Sequence, residues 1–520
     1  MIHPRPIISP LLLIATIAWS VHAFEFQLLD SGADVLSLSG DGSTVFGLDE
    51  FTPGILRWRT GEKWQNLGMP ERPLFPISTN HEGTFVVGSV NPRVAFWSEE
   101  AGFDVLPGDI SFVPYAITPD ATVFVGRGNW GSDGSIRAYR NDVLDGYLLL
   151  DDVPGVTYSN ATSVSADGTM IVGTRLFEDG RRESFRWTTI SGTETWPLGA
   201  SFSLFSTKSI SADGSVVVWT QSDTPKFDES VAMRWTAESA TSEPMFDGWA
   251  GYVSADGSVV SGTRSNDEGQ TEPIVWTEAS GVVAISEILE QHDAVEQGWR
   301  FCDDALMSDD GYVIAGDALN AEGRREAWRL VLDRGDFDLN AQFDITDIQV
   351  LSDAIRKNIQ FSRYDVNNDQ RIDLEDQIEL VEQLARTYIG DVNGDGTFDT
   401  SDLVVVFVAG HYEVDQPDSM TWSQGDWNSD GRFNSSDLVF ALQRGGYQQG
   451  PRTVRSVPEP DTYPRSMLMI AAMGIIRGGG LRRSQENCPS RCRCGSIRSR
   501  YLSLDFVHND LLDVGCPWRG

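Results

Sequence analysis

Between residues 336 and 437, oxygen-bearing side chains recur in four twelve-residue registers. In DVNGDGTFDTSD, Asp391, Asn393, Asp395, Thr397, Asp399 and Asp402 hold positions 1, 3, 5, 7, 9 and 12, and Gly396 holds position 6. DWNSDGRFNSSD repeats the pattern with Asp426, Asn428, Asp430, Arg432, Asn434 and Asp437 around Gly431. DFDLNAQFDITD carries Asp336, Asp338, Asn340, Gln342, Asp344 and Asp347, with Ala341 at position 6. DVNNDQRIDLED carries Asp365, Asn367, Asp369, Arg371, Asp373 and Asp376, with Gln370 there. Carboxylates and amides at 1, 3 and 5, a backbone carbonyl at 7, a ligand or water-bridging residue at 9 and a carboxylate at 12 are the hard oxygen donors Ca²⁺ takes, and Gly at 6 makes the sharp turn. Position 7 gives its carbonyl, so Gln342, Arg371, Thr397 and Arg432 qualify whatever their side chains. A residue other than Gly at 6 adopts a left-handed conformation at a cost, so the first two loops are expected to bind Ca²⁺ more weakly. The alternative is an acidic linker without metal. Four registers that also share an apolar position 8 (Phe343, Ile372, Phe398, Phe433) argue against it.

The elements around these loops follow from periodicity. Position 8 suits a short β-bridge between paired loops. Ile348, Leu351 and Ile355 then recur at helical spacing, and Leu403, Val406, Phe407 and Gly410 mirror Leu438, Ala441, Leu442 and Gly445. The economical expectation is two loop pairs, at 334–388 and 389–450, each with its own small core.

Residues 24–333 carry a different pattern: a short strand, a tight turn, then a hydrophobic strand usually closing on Gly. Seven copies are centred on Asp41, Glu82, Asp120, Asp167, Asp213, Asp256 and Asp310, from SGDGSTVFG to SDDGYVIAG. Their spacings of 38 to 54 residues lie in or near the range of four-stranded propeller blades. An aromatic follows each turn: Trp58, Trp97, Tyr139, Trp187, Trp235, Trp276 and Trp328. Asp-Gly lets the Gly take a positive φ while the Asp side chain caps turn amides. The last copy stops after its third strand, and Phe24–Asp30 matches a fourth-strand position. The expected fold is therefore mainly β, a seven-bladed β-propeller fastened by its N-terminal strand, followed by a small α-helical calcium-loop region. Seven equivalent turn acids on seven hairpins, six Asp and Glu82, read as turn formers rather than paired catalytic carboxylates. The sequence shows no phosphate loop, HExxH or Ser/His/Asp constellation, so no catalytic residue is assigned.

The 520 residues hold 40 Lys+Arg against 76 Asp+Glu, a net charge of −36, which disfavours a nucleic-acid partner or an anionic membrane surface. Only Cys302 of the five cysteines precedes position 488, so disulfides do not staple the bulk of the fold. Residues 1–23 read as a secretory signal, with Val21 and Ala23 before a cleavage site at Phe24; a membrane anchor is the alternative, but the apolar run is shorter than the ~20 residues a span needs. Near the other end come Val457–Pro460 (VPEP), the apolar stretch Met467–Ile476 and then Arg477, Arg482 and Arg483. Residues 485–520 are an uncertain tail, whose Cys488, Cys492, Cys494 and Cys516 lack a usual zinc spacing.

Three resemblances follow. The strands AFW (Ala95–Trp97), SFRW (Ser184–Trp187) and AMRW (Ala232–Trp235), beside SADG turns, resemble the HAF family of extracellular repeats, which implies no reaction. Asp at position 12, and loops without a long preceding helix, resemble the dockerin type I repeat more than an EF-hand sensor. That likeness implies calcium and attachment of an exported protein, often a polysaccharide-degrading enzyme, to a cohesin partner. Residues 451–484 resemble the PEP-CTERM sorting signal, which implies export and a membrane connection through that segment alone. The combined expectation is an exported, extracellular or cell-surface protein that binds Ca²⁺ and serves as a non-enzymatic adhesion scaffold. Its partner would be a cohesin-like or cell-surface protein, or an extracellular polysaccharide. The alternative is a polysaccharide-active hydrolase or lyase with its site in the propeller.

Overall fold

The computed structural model describes residues 24–452, apart from 30–32, 49–53, 69–74, 91–92, 106–111, 130–134, 197–202, 205–208, 223–229, 267–268, 296–297 and 415–419. The proposed signal at 1–23, the sorting segment and the cysteine-bearing tail lie outside the described residues.

The chain is mainly β and propeller-like. Antiparallel four-stranded sheets span 34–66, 75–105, 112–149, 156–196, 203–247 and 249–284. A seventh, over 300–331, takes its fourth strand from Glu25–Leu28, which pairs with Arg325–Val331 in the register Glu25↔Val331 to Leu28↔Trp328. The third and fourth sheets are joined by a single parallel bridge, Ile136↔Tyr158. Each sheet is open. What closes is their succession, because the strand Asp34–Leu38 of the first sheet packs against the seventh sheet as well as the second. All seven aromatics expected after the turns sit in the third strand of their sheet.

The turns show why the pattern repeats. In six of them a Ser or Thr hydroxyl two residues before the Asp donates to its carboxylate, at 2.5–2.9 Å (Ser39, Thr118, Ser165, Ser211, Ser254, Ser308). The same Asp accepts the N–H two residues on, as Asp213 does from Ser215. In the remaining turn the Asn80 side-chain oxygen accepts both Thr84 and Phe85 N–H in place of the Asp. The repeated aspartates thus build turns. Successive turns are also tied to one another: Asp41 N–H donates to His81 O, His81 to Pro119 O, Ala166 to Ala212 O, Ala212 to Ala255 O, Ala255 to Asp309 O and Asp309 to Gly40 O. The circuit misses one link, from the third turn to the fourth, where Pro119 has no N–H to give.

Side chains stitch the sheets at a second level. An Arg of one third strand lies over the aromatic of the next: Arg57 over Trp97, Arg140 over Trp187, Arg234 over Trp276 and, across the closure, Arg329 over Trp58, at 5.3–6.0 Å.

Helix α1 (Ile285–Gln291) caps the sixth sheet, and four helices follow the ring: α2 (Ile345–Arg356), α3 (Leu374–Glu379), α4 (Thr400–Ala409) and α5 (Ser435–Gln443). They share one core rather than the two expected. Phe337, Ile348, Leu351, Leu380, Phe398, Val406, Trp422, Trp427, Phe433 and Ala441 form a single cluster. The junction is made by the buried Trp422, whose backbone N–H donates to Gln349 Oε1 of α2, and by Ser429, whose hydroxyl donates to Gln377 Oε1; the Trp422 indole donates to Asp391 O within the second half. The expected bridge between position-8 residues is also replaced, since Phe398 pairs with Tyr447 and Phe433 O accepts from Glu413 N–H. Phe407 and Leu442, which share the repeated helical pattern with the buried Val406 and Ala441, are about half exposed.

The helical region is bolted to the ring. Tyr312 Oη donates to Arg363 O, Arg334 donates to Ser362 O and Asp365 O, and the Arg363 guanidinium lies between Tyr312 and Phe337.

Candidate metal centre

All four loops fold alike, and the reason is local. The position-1 carboxylate accepts the N–H groups of the sharp turn: Asp336 from Asn340 and Ala341, Asp365 from Asp369 and Gln370, Asp426 from Asp430 and Gly431, and Asp391 from Gly394 and Gly396. The position-3 oxygen (Asp338, Asn367, Asn393, Asn428) accepts from the position-5 N–H. The position-5 oxygen (Asn340, Asp369, Asp395, Asp430) accepts from the N–H of position 7 (Gln342, Arg371, Thr397, Arg432). Position 6 has positive φ throughout: 61° at Ala341, 69° at Gln370, 81° at Gly396 and 84° at Gly431. The left-handed conformation anticipated for Ala341 and Gln370 is therefore present.

The helices finish each site. Position 9 (Asp344, Asp373, Asp399, Asn434) is the N-cap of α2, α3, α4 or α5, and position 12 (Asp347, Asp376, Asp402, Asp437) is its third helical residue, together forming a capping box. The position-12 carboxylate also reaches back to a loop N–H: Asp347 to Phe337, Asp376 to Asn367, Asp402 to Val392 and Asp437 to Trp427. All four position-12 side chains are fully buried.

Burial sets their electrostatics. Loss of solvation pushes the carboxyls of Asp336, Asp347 and Asp426 up to about 7, and those of Asp376 and Asp437 up to about 6. Neighbouring carboxylates add to the rise, such as Asp338 beside Asp336. Asp338 and Asp402 are raised for the same leading reason. Carboxyl groups this buried resist ionisation unless a cation compensates them.

Three carboxylates converge, with ligand atoms within 4.8 Å of one another, at Asp336, Asp338 and Asp347 and at Asp426, Asp430 and Asp437. Convergence thus selects the first and fourth loops, whereas glycine at position 6 selects the third and fourth. The two criteria agree on the fourth. In the third loop Asp391 is drawn toward the Thr387 hydroxyl, and Asp395 toward Thr397 N–H and Oγ1. Two neighbours escaped the twelve-residue registers. Thr387 precedes its loop by four positions, and Arg356 of α2 lies 3.8 Å from Asp426. No spacing in the sequence ties Arg356 to residue 426.

Hard oxygen donors, preformed turns and buried carboxylates fit a divalent cation such as Ca²⁺, without nitrogen or sulfur ligands.

No family model matches this chain, and no curated protein matches it. Among solved structures it is similar to an oligogalacturonate lyase in complex with manganese, at 12% identity over 59% of this chain and 93% of that one, with a TM-score of 0.43. It is also similar to TolB from Acinetobacter baumannii (12% identity, 55% and 79% coverage, TM-score 0.34). A third is the Cps50 (Swd1) β-propeller domain from Myceliophteria thermophila (12% identity, 58% and 99% coverage, TM-score 0.38). No described helix is long and apolar enough to cross a membrane.

Proposed function

We propose that this is an exported calcium-binding scaffold: a seven-bladed propeller of HAF-like repeats presents a binding surface, and a dockerin-like helical region ordered by Ca²⁺ attaches it to a protein or surface partner. The observation that carries the reading is the shared construction of the four loops, in which every position-12 carboxylate is buried and serves at once as helix cap and loop acceptor. The turn aspartates of the ring are consumed in turn formation, which favours a binding role over hydrolysis. The attachment role is supported by an apolar surface on α4 and α5, where Val404, Val405, Phe407, Val408, Val439 and Leu442 are 44–80% exposed.

Calorimetric titration of the full chain with CaCl₂ tests the calcium reading. Uptake of at least two ions per chain is expected, and no uptake removes the reading. Incubation with a panel of polysaccharides tests the ring. Retention without cleavage supports the scaffold, and release of oligosaccharides replaces it with an enzyme.

A further inference from the structure

Position 4 supplies no side-chain ligand in these loops, yet three of the four are docked through it. Leu339 joins the buried cluster of the ring that also holds Trp328 and Leu332. Gly394 lies against α2, where an added Cβ would come within 3.4 Å of Ile345. Ser429 is the most connected. Its hydroxyl donates to Gln377 Oε1 at 2.6 Å, which leaves its oxygen to accept from the Ser352 hydroxyl at 2.9 Å. All three side chains are buried, Ser352 and Gln377 completely. Among the described residues Gln377 Nε2 has no partner, so the bond from Ser429 is the one that holds this side chain. Asn368, at position 4 of the second loop, is exposed.

Both ends of this hydrogen-bonded chain lie beside ligand positions of other loops. Ser352 belongs to α2, which carries Asp347 at position 12 of the first loop, and Gln377 directly follows Asp376, position 12 of the second. Helix α2 also meets the fourth loop and its approach elsewhere: Gln349 Oε1 accepts Trp422 N–H, and Arg356 donates to Met420 O while its guanidinium lies 3.8 Å from Asp426. We propose that these contacts couple the calcium sites across the two halves, so that occupation of the fourth loop raises the affinity of the first and second, with Ser429 as the positioning residue. The inference rests on the calcium reading of the loops. Asn428 and Asp430 flank Ser429, so ligation by them fixes its backbone. The Ser429 hydroxyl, buried where it cannot exchange its partners for water, then holds Ser352 and Gln377, and through them α2 and α3 with Asp347 and Asp376. Filling one site removes part of the ordering cost of the next, which is positive cooperativity. By reciprocity the first and second loops, once filled, tighten the fourth by the same factor.

The test is calorimetric titration of the full chain with CaCl₂, run as a cycle of variants. Asp437→Asn, which removes the fourth site, should weaken the remaining sites about fivefold or more. In a Ser352→Ala or Ser429→Ala chain, which keeps every ligand, the same substitution should weaken them far less. In an Asn368→Ala chain the full loss should persist. A merely structural role for Ser429 would lower affinity in the single variant but leave the response to Asp437→Asn as it was. Remaining sites unmoved by Asp437→Asn, or a full loss retained in the Ser352→Ala or Ser429→Ala chain, would overturn the coupling and leave the calcium reading standing. Absence of calcium uptake by the unaltered chain would overturn both.

Discussion

A single position, the sixth, decides how much each acidic loop resists its own turn. Ala341 and Gln370 hold the left-handed conformation that Gly396 and Gly431 adopt freely, at a cost of roughly 1 kcal/mol each. Ala341→Gly and Gln370→Gly should each tighten Ca²⁺ binding in their loop about fivefold, read by calorimetry. Asp437→Asn keeps a cap acceptor but removes the charge at the loop where convergence and glycine agree, and should lower the stoichiometry by one ion. The pH dependence has a definite sign. Asp336, Asp347 and Asp426 keep their protons up to about 7 in the folded chain, against about 4 when unfolded. The metal-free native state then holds more protons than the unfolded chain between about pH 4 and 7, so its stability falls as pH rises through that window. Ca²⁺ displaces those protons, and its binding should be weaker at pH 5 than at pH 7.5. Calorimetry near pH 6 in buffers of different ionisation heat should show proton release. A stability of the EDTA-treated chain that climbs from pH 4 to 7 would contradict this.

At the scale of the element, the Ser-x-Asp-Gly turn is readable because its chemistry is local. The Ser hydroxyl, the Asp carboxylate and the amides they bind lie within five residues of one another. Glycine's second role is not local. Gly257 also admits Val216 of the preceding sheet, where a Cβ would sit 2.4 Å from its side chain. Gly257→Ala should lower stability by about 2–3 kcal/mol from strain and overpacking together, whereas Gly281→Ala, with positive φ and no neighbour within 4 Å, should cost about 1 kcal/mol. Equal losses in thermal unfolding would deny the inter-sheet role. Helices α4 and α5 show the limit of periodicity. Their apolar residues recur on more than one face, so spacing alone did not separate the buried Val406 and Ala441 from the half-exposed Phe407 and Leu442.

For the whole molecule the closure is the largest single device. Strand Glu25–Leu28 joins the two ends of the ring, and Phe26 packs on Phe301 and Trp328. Deleting 24–29 should lower the melting temperature by more than any point substitution above. The second device is the junction between ring and helices. Tyr312 and Arg334 hold the backbone at Ser362–Asp365, the entry to the second loop. Ca²⁺ should therefore raise the melting of the ring as well as the helices. With Tyr312→Phe and Arg334→Ala combined, the calcium-dependent transition should separate from the ring transition in calorimetric scans.

Sequence alone determined what is short-range and periodic: seven turn-and-strand units, third-strand aromatics, an N-terminal strand left over, and four oxygen-rich loops whose capping geometry is complete within twelve residues. These follow from hydrogen bonds and backbone preferences that a few neighbours settle together. Tertiary structure decided what depends on residues far apart in the chain. It merged two expected cores into one around Trp422, brought Arg356 beside Asp426 and chose which carboxylates converge. Packing volume and burial fix those outcomes, and neither is a property of any segment taken by itself.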